Sequence, residues 1–257
     1  MILEFNNVVK CYENGVRALD GLTMEVPSGS IFGFIGLNGA GKTTTIRILA
    51  GLSNRDEGEM TLFGRPMEEH DISYKREIGF VLDEALYFDW MSVLEYLTFV
   101  GTMYDLSADE AALRTEELLA FFDLEEKGDA PIETFSTGMK KKVSLAAAII
   151  HKPKFVVLDE PLEGIDAVAA SAIKESLQFM ASRGTTILIT SHVLDTVEKF
   201  CTDIAIINKG VIILQCKTSE IRTKPIGKMA DQIFRSLEEL FVELVSEKQL
   251  KRHLSWL

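Results

Sequence analysis

Short apolar runs rich in branched and aromatic side chains recur along the chain at residues 31–35, 78–82, 155–159, 186–190 and 204–207. Each is closed by polar or glycine residues, the pattern of parallel strands covered on both faces. Helical signals fill the segments between them, so the pattern predicts an α/β domain built on a parallel sheet. Residues 2–30 differ. Leu3 and Phe5 alternate with polar positions, Glu13-Asn14-Gly15 reads as a turn, and Val26-Pro27-Ser28-Gly29 precedes the next strand, so an antiparallel sheet is expected there. Between Asp83 and Lys152 the strand signal stops and two helix starts appear, Ser92 with Glu95 and Ser107 with Glu110. Each pair has the spacing of a capping box, and together they predict an inserted helical subdomain. After Lys217 the chain turns polar through Pro225 and Gly227. Leu237, Leu240, Phe241, Leu244 and Val245 then form one apolar face of a 3.6-residue period, a tail helix expected to pack back on the core. No internal repeat or low-complexity segment is present.

Composition narrows the class. At about 150 residues per domain, 257 residues correspond to one or two domains. With 47% hydrophobic and 26% charged residues the chain is ordinary for a globular protein, which excludes disordered, collagenous and coiled-coil classes. The net charge of −12 removes the overall field that would draw it onto nucleic acid. Cys11, Cys201 and Cys216 stand alone with no C-x-x-C spacing, which argues against a disulfide framework or zinc site, suits a reducing cytosol, and makes the thiols expected core fillers. No apolar run approaches the roughly 18 residues of a membrane span, and Met1-Ile2-Leu3-Glu4 does not start a signal peptide, so neither a span nor secretion by that route is expected.

The chemistry begins at Gly36-Leu37-Asn38-Gly39-Ala40-Gly41-Lys42-Thr43, which fits G-x-x-x-x-G-K-[ST] between an expected strand and an expected helix. In that context the glycines let backbone N–H groups turn onto a β-phosphate, and the helix N-terminus adds partial positive charge. Lys42 would neutralise β and γ oxygens, and the Thr43 hydroxyl would ligate Mg²⁺. The run 155–158 ends in Asp159 and Glu160, at the strand edge where parallel sheets present ligands. Asp159 is a candidate Mg²⁺ ligand and Glu160 a candidate general base for an attacking water, unless the pair merely caps the next helix.

With these motifs in order, the chain resembles the nucleotide-binding subunit of ATP-binding cassette (ABC) transporters from about Leu3 to Gln215. The resemblance implies a P-loop NTPase, RecA-like parallel-sheet core with an N-terminal antiparallel β subdomain, an inserted helical subdomain and a short helical C-terminal tail. Its divisions would be an ATPase domain over 1–217 and a tail over 218–257. Within the former, 1–30 is the antiparallel part, 31–82 and 153–217 the nucleotide-binding core, and 83–152 the helical part. Tyr12 falls where the family stacks an aromatic on adenine, or else fills the small sheet; Thr44 joins the nucleotide-binding loop. Phe135-Ser136-Thr137-Gly138-Met139 resembles the family signature, with Thr137 in place of a glycine and Met139 in place of a glutamine, before a helical run over 140–150. Ser136 and the Gly138 N–H would touch the γ-phosphate of an ATP held by a partner copy. Lys140, Lys141 and Lys142 read as solvated cations on that helix.

Glu163-Gly164-Ile165-Asp166 resembles the loop that reaches across to the partner, and Asp166 also suits the N-cap of a helix starting at Ala167. Of the four histidines, His192 alone follows an expected core strand and matches the family's switch histidine, whereas His70, His151 and His253 read as ordinary. Asp83 stands where the family usually has a glutamine near Mg²⁺. Tyr87, Phe88, Trp90, Tyr96, Phe99 and Tyr104 cluster where the family receives a helix of a membrane subunit, and aromatics also build cores. The resemblance therefore implies an ATPase with ATP and Mg²⁺ as cofactors, working as a homo- or heterodimer on the cytoplasmic face of a membrane. It would drive polytopic membrane subunits docked near residues 84–104, most like ABC-2 type exporters. Chromosome-associated ATPases would need long coiled coils or zinc modules, and translation-factor ATPases a second cassette. A small-molecule kinase would need neither the 135–139 segment nor the Ser191-His192 switch.

Overall fold

The structure, a computed structural model, describes residues 1–68, 71–82, 87–224 and 233–245. The chain runs β1 (Leu3–Cys11), β2 (Arg17–Val26), β3 (Ile31–Ile35), α1 (Lys42–Leu49), β4 (Glu57–Leu62), β5 (Arg65–Pro66) and β6 (Ile78–Val81). It continues with α2 (Val93–Met103), α3 (Ala108–Phe121), α4 (Thr137–Ile149), β7 (Phe155–Leu158), α5 (Ala167–Ser182) and β8 (Thr186–Thr190). Last come α6 (Leu194–Phe200), β9 (Asp203–Asn208), β10 (Val211–Lys217) and α7 (Leu237–Val245).

One six-stranded sheet has the order β10-β9-β3-β8-β7-β6, parallel except for the β9–β10 pair. Every residue of β3, β7 and β8 is buried, which is why these strands read as unbroken apolar runs. Successive side chains leave the sheet on opposite faces. Ile31, Ile35, Val156, Leu158, Ile187 and Ile189 enter one core with the helices. Phe32, Phe34, Phe155, Val157 and Leu188 enter a second core closed by α1 and an antiparallel sheet of order β2-β1-β4-β5. The parallel sheet is thus covered on both sides, as its composition requires.

The expected helix starts are present. Ser92 accepts from the Glu95 N–H while Glu95 returns to the Ser92 N–H at 2.9 Å, and Ser107 accepts from the Glu110 N–H. Other expectations change. The helix after the 135–139 segment begins at Thr137, not residue 140, because the Ser136 hydroxyl caps it by accepting from the Met139 N–H. Its lysines are half-buried rather than solvated: Lys142 Nζ donates to Phe122 O at 2.7 Å and Lys141 Nζ to Glu160 O at 3.3 Å. Cys11 is exposed at the end of β1, so of the three thiols only Cys201 is fully buried. The antiparallel sheet also recruits β4 and β5, beyond residues 2–30. His70, His253, Pro225 and Gly227 lie outside the described residues.

His151 is structural. Its ring stacks on Tyr104 with centroids 3.7 Å apart, and Nε2 lies 3.1 Å from Ile78 O. Burial, the largest influence, pushes this imidazole down to about 4 from its ordinary 6.5. Below about pH 6.5 the unfolded chain binds a proton that the folded chain refuses, so this site costs the fold nothing above about pH 6.5 and destabilises it progressively as pH falls toward about 4. His151→Phe, which keeps the stack, is expected to show a flatter dependence of the urea midpoint on pH across that window than the parent chain; equal slopes would contradict the assignment.

Candidate nucleotide site

β7, β8 and β3 lie side by side, with Leu158 level with Ile189 and Phe34 level with Thr190. Their carboxyl ends therefore open together onto one cleft of about 1100 Å³, whose lining includes Tyr12, Gly36, Asn38, Gly39, Gly41, Lys42, Thr43 and Thr44. Asp159, Glu160 and His192 line the same cleft. The loop leaving β3 turns at Gly41, whose φ of 118° suits glycine and whose absent Cβ would lie 2.8 Å from Ala18 O. Ala40 is buried within the loop, its N–H donating to Leu37 O at 3.1 Å. Gly41 is also the N-cap of α1 and offers no side chain, so the first N–H groups of the helix face the cleft without a side-chain cap. Lys42, 7% exposed, donates from Nζ to Gly36 O at 2.8 Å and to Leu37 O at 3.4 Å, which fixes its cation at the loop.

Across the cleft, one hydroxyl binds the ends of two strands together. Thr190, fully buried at the end of β8, donates to Asp159 Oδ1 at 2.6 Å and accepts from the Glu160 N–H at 2.9 Å. Glu160 takes φ 45°, unusual for a residue with a side chain, and the Thr190 bond helps hold it there. Its Oε2 lies 3.1 Å from His192 Nδ1. Burial raises the Glu160 carboxyl above the ordinary carboxylate range; His192 and Lys42 oppose the shift, and Glu163 adds to it. A half-buried carboxylate next to a histidine, raised by its surroundings, is suited to accept a proton.

Tyr12, 36% exposed, stands at the cleft wall with its hydroxyl 3.2 Å from Thr44 Oγ1, so it does more than fill the small sheet. Ser136, Gly138 and Asp166 are not part of the cleft lining. Gly138 is buried, and a Cβ on it would lie 3.8 Å from Asp166 Oδ2. Asp166 caps α5 by accepting from the Val168 and Ala169 N–H groups at 2.9 Å, and the Ala169 bond leads the influences that lower its pKa. Asp83 lies outside the described residues. The cleft also contains Arg17, Leu194 and Lys209, which no sequence motif singled out, together with Glu163 and Ser191 from the recognised motifs and Phe241, read from the sequence only as part of the tail helix's apolar face. Thr190 was legible only as the first letter of Thr190-Ser191-His192; a hydroxyl ending the strand beside Asp159 was the available signal.

Residues 19–163 match the family model described as ABC transporter. The linearmycin resistance ATP-binding protein LnrL of Bacillus subtilis (strain 168) is 36% identical over 213 residues, 82% of this chain and 68% of that protein. Nod factor export ATP-binding protein I of Cupriavidus metallidurans is 36% identical over 226 residues, 88% of this chain and 74% of that one. A solved ATP-binding subunit of an ABC transporter superposes with a TM-score of 0.85 at 30% identity, covering 95% of this chain and 99% of that chain. The chain belongs to the ABC transporter family.

As an ABC transporter ATPase it carries the P-loop NTPase fold and hydrolyses ATP to ADP and phosphate. Among the described residues no helix is long and apolar enough to cross a membrane. The Thr190 hydroxyl is the testable joint of this ABC site. Thr190→Val preserves shape but removes one bond from the buried Asp159 carboxylate and one from the Glu160 N–H, and is expected to cost about 1–3 kcal/mol in urea unfolding and to slow ATP turnover. Thr190→Ser should retain both; a Val variant with parental stability and turnover would refute the joint.

Proposed function

We propose that the chain is the ATP-hydrolysing subunit of an exporter and that it works as a pair. The observation that carries this reading is the meeting, in one cleft, of the Lys42 loop, the Thr190-bound Asp159 and the Glu160–His192 contact. Loop N–H groups from Gly36, Asn38, Gly39, Ala40, Gly41, Lys42, Thr43 and Thr44 cradle the phosphates, Lys42 neutralises β and γ oxygens, and Tyr12 stacks on the adenine. The Thr43 hydroxyl and the buried Asp159 carboxylate offer hard oxygen donors, the kind Mg²⁺ prefers, and Asp83 would complete the set. Bound there, Mg²⁺ would neutralise charge on the transferred phosphoryl group. Glu160 takes the proton from the attacking water, and His192 orients that water and hydrogen-bonds the γ-phosphate.

Ser136, Gly138 and Asp166 do not line their own cleft, which supports their serving the ATP of a second copy, identical or not. ATP then favours the closed pair and hydrolysis releases it, a switch driven by differential affinity. A helix of a polytopic membrane subunit docks near residues 84–104, holding the chain on the inner face of the cell membrane. Three aromatics there are unburied, with Phe88 packed against both Trp90 (74% exposed) and Phe99 at centroid distances of 5.3 and 5.7 Å. Tyr87, Tyr96 and Tyr104 turn inward instead. The outward direction is supported by LnrL, named for resistance, and by its relative named for export.

Glu160→Gln is expected to bind ATP while phosphate release falls at least about a hundredfold; unchanged release would remove Glu160 from the chemistry. Lys42→Ala is expected to lose nucleotide affinity in a fluorescent-ATP titration, and parental affinity would contradict the phosphate cradle.

A further inference from the structure

The helix that follows His192 is gripped from two sides. On the sheet side α6 lies against β3 at Gly33, where Val197 Cγ1 stands 2.7 Å from the position a Cβ would take, so any side chain at residue 33 would push against the helix. On the other side α7 buries Leu237 and Leu240 in the same core as Val197, Phe200 and Ile221. Between them sits Glu198 of α6, its side chain only 10% exposed. Glu198 Oε2 accepts from the Leu237 N–H, the first of α7, at 2.8 Å. Glu198 Oε1 accepts from Arg222 Nε at 2.8 Å and lies 2.6 Å from Arg222 Nη2. One nearly buried carboxylate therefore ties the switch helix to the turn after β10 and to an otherwise orphaned N–H of the tail helix. The rest of that helix end is self-sufficient: Ser236 Oγ accepts from the Glu239 N–H, and Glu239 accepts from the Arg235 N–H. The Glu198 bond is thus an added link between elements. About one turn along α7, Phe241 lines the nucleotide cleft together with His192 and Leu194, the first residue of α6.

We propose that Glu198 and α7 form a clasp that positions His192, with Phe241 the apolar wall holding the start of α6 toward Glu160. Phe241 and Glu198 are positioning residues: they act through the histidine. The inference rests on the reading of His192 given above and adds that the tail, rather than merely covering the core, sets the geometry of the switch.

A double-mutant cycle in the full chain tests it, measuring kcat, KM for ATP and melting temperature. Phe241→Ala is expected to lower kcat about tenfold with little change in KM, Phe241→Leu to restore most of the rate, and neighbouring Val242→Ala to leave kcat unchanged. Glu198→Ala should behave as Phe241→Ala does. In a His192→Ala background, Phe241→Ala should cost nothing further, since the group it positions is gone. The clasp is overturned if Phe241→Ala keeps the parental kcat, or if it costs as much without His192 as with it. Either result leaves the function of His192 standing. If His192→Ala itself turns over at the parental rate, the reading of the switch histidine fails first, and the clasp with it.

Discussion

The arrangement depends on one buried hydroxyl. Thr190 joins the ends of two neighbouring strands by donating to Asp159 and accepting from the Glu160 backbone, and it does so two residues before His192. Parallel strands in register bring their carboxyl ends to one level, but leave each following residue free to turn away. The hydroxyl removes that freedom for both acids at once. The Lys42 loop leaves the third strand of the trio, so cation, acids and histidine face one volume without any of them sitting on a long loop.

A phosphate site built only from strand ends has one open side. The cleft is walled by the loop, the acids and the tail helix, whereas Ser136, Gly138 and Asp166 do not line it, and Gly138 lies close to Asp166. In that arrangement the Ser136 hydroxyl is occupied by its own helix, and Asp166 likewise caps α5. These local bonds fix the segment in shape in the single chain, so the proposed binding of a second copy there would carry a lower ordering cost. Capping and reaching across are compatible roles, because each cap uses only part of the acceptor capacity of its side chain.

Much of this was legible from the chain. The five core strands were visible because each is buried on both faces and so carries no polar alternation. β4 and β10 were not, because they are edge-like: β4 buries only Met60 and Leu62, and β10 only Leu214. The start of α4 was obscured because Met139, not an acid, follows the Ser136 cap at the third position, whereas Glu95 and Glu110 announce the other helices. Lys141 and Lys142 read as solvated since their acceptors, the carbonyls of Glu160 and Phe122, are distant in sequence. Phe241 looked like one more apolar residue of an amphipathic helix. Its place in the cleft follows from where Glu198 anchors that helix, a relation no periodicity contains.

The central claim is that a complete site needs two copies, and sedimentation velocity of the Glu160→Gln variant tests it most directly. A single species at monomer mass without nucleotide, replaced by a dimer when ATP and Mg²⁺ are added and lost again on Ser136→Arg, is the result expected. A chain that binds ATP at full occupancy and still sediments as a monomer would contradict it.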